Sequence, residues 1–266
     1  MERKAVAKRM KTRQKLTLVS TLHYFRLVYR SVLFIWLIFE YVSSRIHPRE
    51  FLEDALEKQP VIYTLVWVVF AVEMIFRFFP SKYESPGCQK QFKRNYIKSG
   101  RTDIKIPDNN GAFMVALIWV VFNCIFGALY MVKIFDDGIM ILLCSAYSVC
   151  DMVCILFFCP FQTLFLKNKC CGSCRIYNWD YAMMFTPLFF VRGLYSWSLV
   201  LLSVALLVRW EIVFYKYPER FSENTNRYLE CRNCTERLCV HKKQLRKLKK
   251  HIEEYTANKL RELKKD

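Results

Sequence analysis

Five long apolar runs alternate with segments crowded with Lys and Arg, and this alternation restricts the chain more than any single motif does. The runs cover residues 27–44, 60–79, 112–132, 138–166 and 181–214. A helical crossing of a bilayer needs roughly 20 predominantly apolar residues, so each run is a candidate span. The basic residues gather in 1–26, 80–111, 167–180 and 216–266. A net charge of +18 and a hydrophobic content of 54% can therefore coexist in one molecule, each confined to its own stretches. That separation is the mark of a multi-pass membrane protein.

The sequence predicts an all-α fold: a multi-pass transmembrane helical bundle with a small cytoplasmic Cys-rich metal module and a C-terminal amphipathic helix. Its parts are a basic N-terminus (1–26), a four-helix transmembrane region (27–166) and a Cys-rich loop (167–180). A broken or re-entrant membrane segment (181–215), a Cys-rich metal-binding segment (216–243) and a basic amphipathic helix (244–266) follow. The start carries no small-residue cleavage pattern after its apolar run, so that run reads as a retained helix.

Charge assigns sides. Residues 1–26 hold eight Lys/Arg against one acid, and 45–58 hold three against four. Residues 80–111 hold seven against three. The positive-inside rule then puts the N-terminus in the cytoplasm and lets four spans alternate without conflict. The fifth run, interrupted at Pro187 and at Arg192-Gly193, is ambiguous. Were it to cross once, a tail with fifteen Lys/Arg and eight acids would lie outside. A hairpin turning near Arg192-Gly193, an interfacial first half, or failure of the short first run to span would each resolve this. Eleven residues before Arg192 look too few for a complete crossing. The positive tail favours a cytoplasmic C-terminus, in a bacterial inner or plasma membrane.

Twelve cysteines occur, and those inside apolar runs act as small hydrophobes. Cys88 stands alone in a basic loop. The remaining six form two clusters flanking the fifth run: Cys170, Cys171 and Cys174 on one side, Cys231, Cys234 and Cys239 with His241 on the other. A C-x2-C pair lets two thiolates grip one metal from a tight turn, and zinc takes four such ligands in a tetrahedron. Cys171, Cys174, Cys231 and Cys234 could share an ion. The 56 residues between Cys174 and Cys231 far exceed the roughly 15–20 of a compact zinc ribbon, so the membrane segment would be the insert. Cys231, Cys234, Cys239 and His241 form a local alternative. An iron–sulfur cluster also takes four thiolates but lacks its usual compact run here.

Ionisable groups inside the runs are the other signal. A charged side chain at mid-membrane costs about 2.5–3.5 kcal/mol on insertion scales and normally faces a partner or a wet cavity. Asp151 lies near the middle of the fourth run; Glu73, Asn123 and Arg192 are candidate members of one buried network with it. Arg30, Glu40 and Arg77 lie near run ends and read as snorkelling anchors. The repeat of Leu245, Leu248, Ile252 and Tyr255 gives the tail an amphipathic face, suited to anionic lipid headgroups or to a protein partner across 244–265.

No nucleophile–base motif, phosphate loop or dinucleotide fingerprint occurs, and Gly is scarce at seven. Nothing marks an enzyme, and no recognition motif supports nucleic-acid binding. The first functional expectation is a membrane scaffold or adaptor with a structural zinc on its cytoplasmic face. The alternatives are a membrane redox protein with an iron–sulfur or dithiol centre, and an ion or small-solute transporter or channel using Asp151 and the broken segment 181–215.

Overall fold

The computed structural model describes residues 18–46, 60–80, 89–105, 109–166 and 174–230. Among these residues six α-helices follow one another: α1 Leu18–Ile46, α2 Pro60–Phe76, α3 Asn109–Met131, α4 Asp137–Leu156, α5 Asp180–Phe185 and α6 Leu194–Lys216. Among the described residues the remaining regular structure is short 3-10 or π turns, with one isolated β-bridge. Four of the helices, α1, α3, α4 and α6, are long and apolar enough to cross a membrane. At 17 residues, α2 is at the lower limit for a crossing, which is roughly 17–25. The expected C-terminal helix lies outside the described residues, as do Cys88, Cys170, Cys171, Cys231, Cys234, Cys239 and His241.

Helices α1, α3 and α6 each expose a broad apolar face. On α1 it is Val28, Val32, Ile35, Phe39 and Val42; on α6 it is Leu201, Val204, Val208 and Ile212. Exposed apolar surface on this scale is a liability in water and the normal condition in lipid. The opposite faces meet in a core in which Phe70 and Met74 of α2, Met140 and Cys144 of α4, and Leu206 and Trp210 of α6 pack around Tyr181, Phe185 and Leu188.

Helix limits differ from the apolar runs in explicable ways. Helix α1 begins at Leu18 rather than at residue 27, because Val19, His23 and Arg30 continue one buried face at helical spacing. Helix α4 starts on Asp136, whose side chain accepts a hydrogen bond from the Ile139 N–H at 2.9 Å. It ends at Leu156, before Pro160, and the chain continues through a π turn at Phe161–Phe165. The start of α3 lies directly against this turn. A Cβ on Gly111 would stand 2.6 Å from the Phe165 carbonyl oxygen, so only glycine permits the approach.

The bundle has two distinct ends. At the cap end, residues 89–105, which follow α2, join residues 217–230, which follow α6. Lys98 and Asn226 form the antiparallel bridge, and the Asn226 side-chain amide donates to the carbonyls of Lys90 and Arg220, both at 2.9 Å. The N-terminal part of α1 lies at this end too, with Tyr24 edge-on to Phe157 at 6.3 Å. At the turn end, Tyr41 and Arg45 of α1 reach Asp136 in the α3–α4 connection.

The stretch between Asp180 and Arg192 links these ends. Asp180 pairs with Arg77 at the cap end of α2. Tyr181 reaches Glu73, Phe185 meets Phe70 at 5.5 Å, and Tyr195 bonds Thr64 at 3.1 Å. These contacts step backwards along α2 from residue 77 to residue 64, about 20 Å of helix axis at 1.5 Å per residue. The chain manages this by changing from α5 to a tighter 3-10 turn at Thr186–Phe189, which rises about 2.0 Å per residue. It then reverses at Gly193, whose φ of +147° no residue with a side chain adopts without strain.

Helix α6 runs back to the cap end, where Glu211 meets Arg175 and Trp179. The stretch before Arg192 is thus a six-residue α5 followed by a 3-10 turn, laid alongside α2. Helices α4 and α6 pack against its irregular backbone, and Glu73 and Phe70 of α2 meet its Tyr181 and Phe185. Residues 174–180 and 216–230 consequently lie at the same end.

Candidate functional site

Four helices contribute to a charged cluster in the cap half of the bundle. Arg26 and Arg30 lie one helical turn apart on α1. Glu73 lies on α2, with Arg77 one turn on, just past the helix end. Asp151 comes from α4 and Asp180 from the start of α5. Three guanidinium and three carboxylate groups balance formally.

Arg30 is at the centre and only 1% exposed. Its Nη2 donates to Glu73 Oε2 at 2.7 Å, and its Nη1 donates to the Ser148 carbonyl at 3.1 Å and to Asp151 Oδ2 at 3.4 Å. Its guanidinium lies 5.3 Å from the centre of the Phe70 ring. Glu73 is the better satisfied carboxylate. It also takes Arg26 Nε at 2.9 Å, the Tyr29 hydroxyl at 2.9 Å and the Tyr181 hydroxyl at 3.0 Å. Asp151 has the single long contact to Arg30, and its side chain is 17% exposed.

The second half of the cluster is a two-pronged pair. Arg77 Nη1 donates to Asp180 Oδ1 at 2.9 Å, and Nη2 lies 2.6 Å from Oδ2. One charge-assisted hydrogen bond and a second close N···O approach hold the two groups together. Arg77 is 2% exposed, and its guanidinium stands over the Tyr177 and Tyr181 rings at 5.4 and 4.6 Å. Tyr181 ties the halves together, with its hydroxyl on Glu73 and its ring on Arg77.

Of the four buried polar residues read from the sequence, the structure joins Glu73 and Asp151 through Arg30. Asn123 is buried on α3, its side-chain amide donating to the Trp119 carbonyl at 2.9 Å, away from the cluster. Arg192 is exposed at the turn end. Arg30 and Arg77, expected to snorkel as anchors, are instead interior. A guanidinium can stay buried where carboxylates meet it, and here both do. Arg26, Asp180 and Tyr181 were not singled out. The one-turn spacings Arg26/Arg30 and Glu73/Arg77 are the signal that could have found the arginines, since residues four apart share a helix face.

Of the seven sequence-predicted metal ligands, Cys174 alone falls among the described residues. It is buried with Ile176 and Tyr177 at the cap end. Among the described residues no group of three or more His, Cys, Asp or Glu side chains could hold a metal ion.

The fold and the cluster together define an all-helical bundle of membrane-protein character with a charge-balanced interior at its cap end. No protein-family model, curated protein or solved structure matches the chain.

Proposed function

We propose that this chain is an integral membrane transporter in which the buried cluster forms part of a proton or ion path and Asp151 is the group that changes charge state. One observation carries the reading. Glu73 is held by four donors, whereas Asp151 has one contact at 3.4 Å and keeps some exposure. Asp151 can gain or lose a proton without dismantling the network around Arg30. The cluster also lies where the discontinuous segment begins, and interrupted membrane helices commonly build transport sites. The positive-inside rule orients the cap end, with both basic termini, toward the cytoplasm of a bacterial inner or plasma membrane. There the tail across 244–265 would meet anionic headgroups.

The test is proton flux into liposomes containing the purified protein and an internal pH-sensitive dye, driven by a potassium diffusion potential. The expected result is flux above empty vesicles that falls by at least about tenfold in Asp151→Asn, as for loss of an essential proton carrier. Equal flux in the variant removes Asp151 from the mechanism. Absence of flux in the wild type overturns the reading.

A second reading, a scaffold with a structural zinc, is favoured by the shared location of Cys174 and Glu230, the residue before Cys231. Both lie at the cap end, so a site built from both cysteine clusters requires no ligand to cross the bundle. After metal chelation a membrane-impermeant maleimide should label Cys171 and Cys231 from one side only, and metal analysis of the untreated protein should find about one zinc per chain. A brown preparation with visible absorption and bound iron would instead select the redox alternative. Labelling from opposite sides sinks a shared site of either kind.

A further inference from the structure

The turn half of the bundle contains a cavity of about 160 Å³ that the charged cluster does not use. Phe70 and Phe185 lie at its boundary toward the cluster, and Leu37, Ile141 and Leu199 contribute to its apolar wall. Arg192, Tyr195 and Ser196 line it where the chain reverses. The lining is mostly apolar, yet two of its residues are anomalous. The hydroxyls of Tyr63 and Ser145 are buried and have no hydrogen-bond partner. A buried hydroxyl left unpaired costs about 1–3 kcal/mol, so these two are polar points in an otherwise apolar wall, and among the described residues the one charged group lining the cavity is Arg192.

The cavity also adjoins the lipid-facing surface. A groove of about 260 Å³ runs between α1 and α2, lined in part by Val32, Trp36 and Leu65. Groove and cavity share Leu33, Val66 and Phe70, so one layer of side chains separates them. Size restricts the occupant. A cavity of about 150 Å³ is filled by a benzene-sized group, so this one takes a segment of one hydrocarbon chain, with the groove available for the rest. Two acyl chains exceed the space. Charge restricts it further, because Arg192 is exposed and has no carboxylate partner among the described residues.

We propose that the cavity binds a single-chain anionic amphiphile of the fatty-acid class. The carboxylate lies at Arg192 and Tyr195 near the membrane interface, and the chain runs inward beside Leu199 and Phe185. The proposal stands whether or not Asp151 carries protons.

Native mass spectrometry of the full chain in detergent, titrated with oleate, oleyl alcohol or dioleoylphosphatidylglycerol, tests it. One oleate should bind per chain. Arg192→Gln, at an exposed position that leaves packing intact, should weaken oleate by at least about tenfold, as expected for loss of a charge-assisted contact, and leave oleyl alcohol unchanged. Leu199→Phe, which fills the cavity, should weaken both single-chain ligands. Oleate binding unaffected by either substitution overturns the site. Equal displacement of oleate by the two-chain phospholipid overturns the ligand class.

Discussion

Replacing Arg30 by Met should destabilise the bundle by about 3–5 kcal/mol, the cost of removing one member of a buried ionic group and stranding the others. Glu73 would keep Arg26 and two tyrosine hydroxyls, but Asp151 would lose its 3.4 Å guanidinium contact. Thermal unfolding in detergent, read by a thiol-reactive dye that reports exposure of the buried Cys144, measures the effect. At roughly 2–4 °C per kcal/mol for a chain near this size, the midpoint should fall by at least about 6 °C. Arg30→Lys should lie between the two, since an ammonium keeps the charge but cannot fork between Glu73, Asp151 and the Ser148 carbonyl. A Met variant as stable as the wild type would show that the cluster does not hold α1, α2 and α4 together.

The Arg77–Asp180 pair gives the second large effect. Asp180→Leu takes from a guanidinium that is 2% exposed, and that stands over two tyrosine rings, the carboxylate paired with it, again at a cost of about 3–5 kcal/mol. Arg77→Leu strands the Asp180 carboxylate in the same way, although the Tyr181 N–H at 2.8 Å still supports it. The double variant should be less destabilised than either single one, because it removes both desolvated charges at once. Strict additivity of the two losses would show that the residues do not act as a pair. Because Asp180 begins the traverse to Arg192, the single variants should also expose the 174–180 segment to protease, and the double variant should restore protection.

The class of the fold was legible because lipid demands it. Long apolar runs separated by basic segments have few outcomes other than membrane helices, and four helices of the required length and apolarity are present. Glu73 and Asp151 were legible for a related reason, since a carboxylate in an apolar run is costly enough to need explanation. Their partner was not. Arg30 lies near the beginning of its apolar run, where a long side chain can as easily reach water as the interior. Only the packing of α1 against α4, 118 to 121 residues away in sequence, decides between them. Asp180 was harder still, because it belongs by composition to a polar loop and becomes interior only when Arg77 meets it. Length alone does not describe the path of the 180–192 stretch. A chain lined by other helices can mix α and 3-10 geometry and need only match α2, its short neighbour.

The latch between the two cap segments also sets an order of assembly. Asn226 secures the Lys90 carbonyl across 136 residues of sequence. A ribosome adding 5–20 residues per second takes roughly 7–27 s to cover that interval. Throughout it the segment after α2 has been made, yet the residues that will clasp it do not exist. The helices inserted first must therefore wait in the bilayer with their cap open. Closure waits until Asn226 has been made, after α6 has returned to the cap end.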